Sequence, residues 1–315
     1  MAEATAGPPS VAPRRRWFGG APQSEFYKRQ ERLGWLLVIP TVVAVIVVAL
    51  YPLLRAFYLS LTDARLGGTR APNFVGLENY KNLLTDSVFI ADVGHTVFFT
   101  FWSVTLELIL GLGIALVINS NFKGRGLMRT AMLVPWAIPT VISAQMWRWM
   151  FNDVFGVVND VLVRKLGVLS APVAFLANPQ TALPAIVAVD VWKTTPFMAL
   201  LLLAGLQIIP SDMYEAGSID GATGWQQFWL LTLPLLRPAI LVALIFRTLA
   251  ALQVFDVIYV MTSGASGTES MSVYARRVLI DFTQLGYGSA VSVVIFLIIM
   301  AFVVVYMRMV RVEEG

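Results

Sequence analysis

An all-α fold with six membrane-spanning helices is what this sequence predicts, and three observations carry that expectation. Of 315 residues, 57% are hydrophobic and only 13% charged, against about 25% charged in a soluble domain. The mean hydropathy is +0.73. The apolar residues gather into six long runs, each near the roughly 20 residues that a helix needs to cross a bilayer. An ordinary soluble enzyme is excluded. The chain has no Cys and one His, which rules out disulfides, thiolate metal sites and cysteine nucleophiles and leaves little for a haem or zinc centre. No catalytic residue, metal site or cofactor is assigned. The formal charge of +4 reflects basic residues beside apolar runs, a pattern of membrane orientation rather than nucleic-acid binding.

Residues 1–32 hold Arg14, Arg15, Arg16, Lys28, Arg29 and Arg32 among Ala, Pro and Gly, too little apolar content to fold alone. They are expected to form a flexible basic tail. The charge-free run from Leu33 to Leu54 is too long for a signal-peptide core and lacks a cleavage site, so it is the first span. Five more are expected at Thr96–Asn119, Ala131–Phe151, Ala182–Leu206, Ala239–Met261 and Tyr287–Met307. The spanning domain covers 33–310, leaving 311–315 as a cytoplasmic C-terminus. With both termini cytoplasmic, that side carries twelve Lys and Arg against seven outside, the asymmetry expected of a multi-pass plasma-membrane protein. The outer stretches 59–95 and 152–181 are long enough for interfacial helices, and Gly76 to Leu84 reads as an amphipathic one.

The stretch between spans four and five, 207–238, is itself patterned. Pro210-Ser211-Asp212 starts a helix, Glu215 stands three residues after Asp212 as in a capping box, and Gly221 turns the chain after Asp220. A second short helix runs through Phe228. Pro234 and Pro238 each remove a backbone donor and are expected to bend the chain before the fifth span. By physics alone this is either a connecting loop or a docking element.

The run Glu215-Ala216-Gly217-Ser218-Ile219-Asp220-Gly221-Ala222, then Phe228, Leu233-Pro234 and Pro238, resembles the EAA loop of ABC-importer permeases. That resemblance implies the type I importer permease fold and makes the loop the coupling helix-turn-helix that docks on a cytoplasmic ATPase subunit through Glu215, Ala216, Asp220, Gly221, Ala222, Phe228 and Pro234. Gly217 stands where Ala is usual. Phe74 to Tyr80, Trp192 to Phe197 and Phe255 to Thr262 look like the carbohydrate branch, the first permease of maltose and trehalose importers. His95-Thr96 stands where Asn-Thr is commoner, and Ala250 and Gln253 replace positions that often carry charge.

Asp190, Lys193, Arg247, Asp256 and Glu107 fall within expected spans, where an ionised group facing lipid costs on the order of 2.5 to 3.5 kcal/mol. They must face protein or water. Asp190, Lys193, Thr194 and Phe197 lie at i, i+3, i+4 and i+7, one helix face that mixes hydroxyl partners with an aromatic cover for a pyranose ring. Arg247, Ala250, Ala251 and Val254 repeat that spacing. The maltose-permease resemblance places solute contacts at these positions and at Ser143. Against this stands a helix-helix seam closed by an Asp190–Arg247 ion pair, with Asp190–Lys193 a mere i,i+3 pair. Glu107 reads as a packing hydrogen bond ahead of a solute contact, Asp256 as a brace and His95 as an interfacial or packing residue ahead of a proton relay. Lys193-Thr194 matches the end of a phosphate loop, but Trp192 precedes it and the pair lies inside a span. No nucleotide site is assigned.

The resemblance implies a non-catalytic permease subunit of a bacterial or archaeal sugar importer. Its partners would be a second homologous permease, two ATP-binding subunits, an extracytoplasmic sugar-binding protein and the lipid bilayer, with no nucleic acid. The alternative is an ion-coupled secondary transporter relaying ions through Asp190, Asp256 and Glu107, against which six spans without an evident internal repeat argue. An intramembrane enzyme lacks a metal cluster or an activated nucleophile.

Overall fold

The computed structural model describes the backbone of residues 25–313 and the side chains of residues 29–308. Arg14, Arg15 and Arg16 of the expected tail, the side chain of Lys28 and the last residues of the C-terminus lie outside them. The chain divides into two compact units, Met1–Arg55 and Ala56–Gly315. In the first, α1 (Glu25–Val45) begins ahead of Leu33, so the end of the expected tail is already helical. The reason is local: Glu25 to Arg32 contains no Gly or Pro and is rich in good helix formers. A π turn at Ile46–Leu50 leads into α2 (Tyr51–Ser60). Arg29–Ser60 is one stretch long and apolar enough to cross a membrane.

In the second unit, an outer stretch forms α3 (Glu78–Thr85), the expected amphipathic helix. The long α4 (Ser87–Asn119) follows, capped by Asp86, whose carboxylate accepts from the N–H of Val88 at 2.9 Å. The expected third span is not one straight helix. It is α5 (Arg125–Ala137) and α6 (Thr140–Met150), bent at 89°. Pro139 holds Ile138 in extended conformation, ψ 131°, because a residue before proline is driven from the helical region. A short α7 (Val157–Asn159) lies in the outer connection, and α8 (Pro179–Leu206) runs through Pro184 and Pro196 without a break.

The fifth span differs most from expectation. After α9 (Ser211–Ile219), the chain forms α10 (Gly224–Gln227), a π turn at Phe228–Thr232 and α11 (Leu233–Leu252). Together these make one continuous spanning stretch, Gly224–Leu252. Pro234 and Pro238 do not break it. The π turn pairs the Leu233 N–H with the carbonyl of Phe228, so the ladder is already shifted where Pro234 has no donor to give. The span ends before Asp256, which opens the separate α12 (Asp256–Thr262). The helices α13 (Met271–Arg276) and α14 (Leu285–Glu313) complete the unit.

The core is built around α8, packed along α4 on one side and α11 on another. Ala115 and Ile118 at the end of α4 share a cluster with Leu202, Leu203 and Leu206 at the end of α8 and Leu236 near the start of α11. So α4 and α8 run parallel and α11 runs back. Two glycines permit the close approach. A Cβ on Gly111 would meet Met198 Cγ at 2.8 Å, and one on Gly205 would meet Ala239 Cβ at 2.4 Å.

Candidate functional site

Three helices bring one ionisable group each to a common point inside the bundle. Glu107 on α4 is fully buried, Arg247 on α11 is 7% exposed, and Asp190 on α8 has a side chain 12% exposed. The guanidinium clamps Glu107 with two bonds: Nε donates to Oε2, and Nη2 donates to Oε1 at 2.7 Å. The same Nη2 donates to Asp190 Oδ2 at 3.1 Å. Thr194, one turn after Asp190, donates its hydroxyl to Glu107 Oε1 and lies 2.6 Å from the Asp190 carbonyl. A buried charge is tolerable only when paired and hydrogen-bonded, and here the planar fork of one Arg serves two carboxylates. Removing one member of such a cluster strands the others, typically at about 3 to 5 kcal/mol.

Lys193 is different. It is 9% exposed, yet among the described residues no carboxylate oxygen lies within 4.0 Å of its ammonium. With two carboxylates and two cations, the region is balanced in formal charge. Phe197, a turn further along α8, stacks on Trp136 of α5, with ring centroids 6.3 Å apart and planes 12° from parallel. On α11, Ala251 is packed in the core while Ala250 is exposed. Ser143 on α6 is 1% exposed, and its hydroxyl has no hydrogen-bond partner.

Thus the structure joins Asp190, Thr194 and Arg247 directly. It places Lys193 and Phe197 beside them and encloses Ser143 in packing. The expected Asp190–Arg247 pair is present, and Arg247 is also the partner of the packing hydrogen bond expected at Glu107. The missed signal was arithmetic of charge: a lone acid on one span and a lone base on another need each other. Asp256 takes no part, since it stands at the first turn of α12.

The second constellation is the loop 207–238. The chain turns back after α9 at Gly221, whose φ of +81° favours glycine, and the Ala222 N–H returns to the Gly217 carbonyl at 2.9 Å. The capping box sits elsewhere than expected. Pro210 precedes α9 with no side-chain cap, whereas Thr223 and Gln226 form a reciprocal box at the start of α10. Asp212 and Glu215 share one turn inside α9, past the N-cap, so neither can close such a ring. Gln227 holds the two helices together, donating to Ser218 Oγ at 2.9 Å and to the Ala222 carbonyl at 3.3 Å. Gly217 faces this seam, where a Cβ would stand 3.1 Å from Leu231 Cδ1. The outward side is open: Glu215, Ala216, Asp220 and Pro234 are exposed, as is Ile219 at 86%. Phe228 packs with Trp225 and Trp229 in an aromatic group, centroids 5.2 to 6.0 Å apart.

A family model described as binding-protein-dependent transport system inner membrane component matches residues 107–312. The trehalose/maltose transport system permease protein MalF of Thermococcus litoralis is 46% identical over 290 residues, 91% of this chain and 97% of that protein. The sulfoquinovosyl glycerol transport system permease protein SmoG of Agrobacterium fabrum is 40% identical over 284 residues, 90% of this chain and 91% of that one. A bacterial ABC transporter involved in the import of the acidic polysaccharide alginate contains a chain of the same fold, with a TM-score of 0.80 at 23% identity, covering 91% of this chain and 99% of its counterpart.

Proposed function

The chain belongs to the family of binding-protein-dependent transport system inner membrane components, and from that premise we propose that it is the permease subunit of an ATP-driven importer of a neutral disaccharide such as trehalose or maltose. The observation that carries this reading is the near full-length likeness to the trehalose/maltose permease. The balance of two carboxylates against two cations around Asp190 agrees with an uncharged solute, and a free ammonium such as Lys193 offers a donor to sugar hydroxyls.

On this reading the subunit is passive. A second homologous permease completes the path, two ATP-binding subunits supply the energy, and an extracytoplasmic sugar-binding protein delivers the solute. The loop residues Glu215, Ala216, Asp220, Gly221, Ala222, Phe228 and Pro234 dock on an ATP-binding subunit, which puts the loop and both termini in the cytoplasm. The solute passes along Asp190, Lys193, Thr194 and Phe197 of α8 and Arg247, Ala250 and Ala251 of α11, with Ser143 joining only if α6 shifts. The ion-coupled alternative needs carboxyls free to relay ions, whereas Glu107 and Asp190 are both engaged by Arg247.

Reconstitution with the partner subunits in proteoliposomes tests this. ATP-dependent uptake of labelled trehalose or maltose, insensitive to collapse of the proton gradient, is the expected result. Uptake that follows the proton gradient without ATP would overturn it. Transport of sulfoquinovosyl glycerol in place of a neutral disaccharide would overturn the substrate class.

A further inference from the structure

At the end of the bundle remote from the 207–238 loop, α3 is bonded to the ends of other helices. Asn79 Nδ2 donates to the carbonyls of Ser60 and Thr62, at 2.9 Å each, and Ser60 closes the spanning stretch Arg29–Ser60. The Tyr80 hydroxyl lies 2.6 Å from Ser60 Oγ. Leu83, 1% exposed, shares a cluster with Tyr274 of α13 and with Val291 and Ile295 of α14. Directly after α3, Asp86 accepts from the hydroxyls of Tyr274 and, at 3.1 Å, of Tyr287. These ties set the depth of α3.

That depth is read from α14, which is free of charged residues from Leu285 to Met307, with Arg308 the first to follow. Counting back from Arg308 the roughly 20 residues that cross a bilayer reaches the turn that holds Tyr287. The hydrocarbon layer therefore ends near Asp86, and α3 lies at headgroup level. Tyr80, Tyr274 and Tyr287 gather there, as tyrosines do where hydrocarbon meets water.

The rest of the α3 surface is divided lengthwise. At about 100° per residue, Asn79 and Leu83 point toward their partners, Leu77, Lys81 and Leu84 share one flank, and Glu78, Asn82 and Thr85 share the other. On the first flank Leu77 is 71% exposed and Leu84 75%, with the exposed Phe74 ahead of them. Exposed apolar surface runs on from there through Val88, Ile90 and Val97 of α4. The second flank is wholly polar, and Asn82 opens on a cavity lined by Asp63, Arg65 and Gln284. One apolar flank and one polar flank suit a helix lying in the plane of the interface, with hydrocarbon on one side and water on the other. Lys81 has no ion-pair partner among the described residues. Its aliphatic stem can lie along the leucines while the ammonium reaches an anion at headgroup level.

We infer that α3 is a lipid anchor: Leu77 and Leu84 rest on the acyl chains of the adjacent leaflet, and Lys81 pairs with the phosphate diester of a phospholipid. Through Asn79 and Leu83 the anchor fixes the depth of Ser60 and of α14. Lipid is the occupant that matches both the level of the helix and the continuity of its apolar flank with the exposed surface of α4.

The chain has no Cys, so single nitroxide labels report depth. The assembled complex, with Cys-free partner subunits, is reconstituted in vesicles of phosphatidylethanolamine and phosphatidylglycerol. Each label's collision rate with oxygen, which concentrates in hydrocarbon, is divided by its rate with a water-soluble nickel chelate. At Leu84→Cys this ratio is expected to be severalfold higher than at Asn82→Cys. Leu77→Cys against Thr85→Cys gives the same comparison if the first pair fails to assemble. Adding Lys81→Glu, which repels the phosphates, should lower the Leu84→Cys ratio severalfold, whereas Lys81→Arg should leave it high. Equal ratios on the two flanks would overturn the anchor. So would slow collisions with both reagents at Leu84→Cys, the mark of a protein seated on that flank, or a ratio that Lys81→Glu leaves unchanged.

Discussion

The charge cluster inside the bundle and the loop at residues 207–238 are held together by opposite means. Arg247 bonds to Glu107 across 140 positions of sequence and to Asp190 across 57, while Thr194 reaches Glu107 across 87. In the loop, Gln227 bonds to Ser218 nine positions away, and Tyr214 to Thr232 eighteen away. The first region exists only when three helices have already assembled. The second folds from its own turn, cap and seam, and offers its exposed face to something else. The difference implies that damage to the cluster spreads through the unit, whereas damage to the loop stays local and is felt in coupling.

The most severe test of that contrast is Arg247→Leu, which leaves two buried carboxylates facing each other. A loss of about 3 to 5 kcal/mol is expected, seen as failure to accumulate in the membrane or as a large drop in the melting temperature of the purified complex. Adding Glu107→Leu and Asp190→Leu should restore much of that stability, because an apolar trio leaves no stranded charge. If Arg247→Leu alone were harmless, the cluster would not be what joins the helices.

Next comes the turn of the loop. Proline cannot adopt the φ of +81° found at Gly221, so Gly221→Pro should abolish uptake with the protein still inserted and its melting temperature little changed. Glu215→Lys, a charge reversal on the exposed face, should do the same without touching the turn. Normal uptake in both, with normal ATP hydrolysis, would remove the proposed docking role.

Two smaller changes grade the local contacts. At Gly217 a leucine must displace Leu231, 3.1 Å from the position of a Cβ, with a cost of about 1 to 3 kcal/mol for overpacking. Uptake should fall with little change in melting temperature. Thr223→Ala removes one cap of α10 and should cost about 1 kcal/mol, visible as faster hydrogen exchange at the Gln226 amide. A whole-unit drop in melting temperature from either would erase the distinction between the regions.

The same contrast explains what sequence could and could not disclose. Spans declare themselves by length and apolarity, so all six runs correspond to helical stretches, and α3 follows from its amphipathic pattern. Ends and bends depend on details that a hydropathy run averages away. Pro139 splits the third span because it acts on Ile138, whereas Pro234 leaves α11 intact because the preceding π turn absorbs the missing donor. The order Glu215 to Gly221 was legible because a loop of this kind is local, although the capping box belonged to Thr223 rather than Asp212. A packing hydrogen bond at Glu107 is legible in the sequence, but its partner is not. Nothing within a few residues hints at a partner 140 positions away.

The π turn at Phe228–Thr232 has one further consequence, which concerns rotation. Such a turn amounts to one surplus residue wound into a helix, and each residue of an α-helix advances by about 100°. The angular phase between Trp225 below and Arg247 above is therefore set by that single surplus residue. Deleting any one position from 228 to 232 would return the segment to regular winding and swing the loop about the helix axis relative to the charge cluster, with every side chain of both still present. A stiff rod with a fixed phase transmits torque as well as thrust, and its phase here rests on one residue.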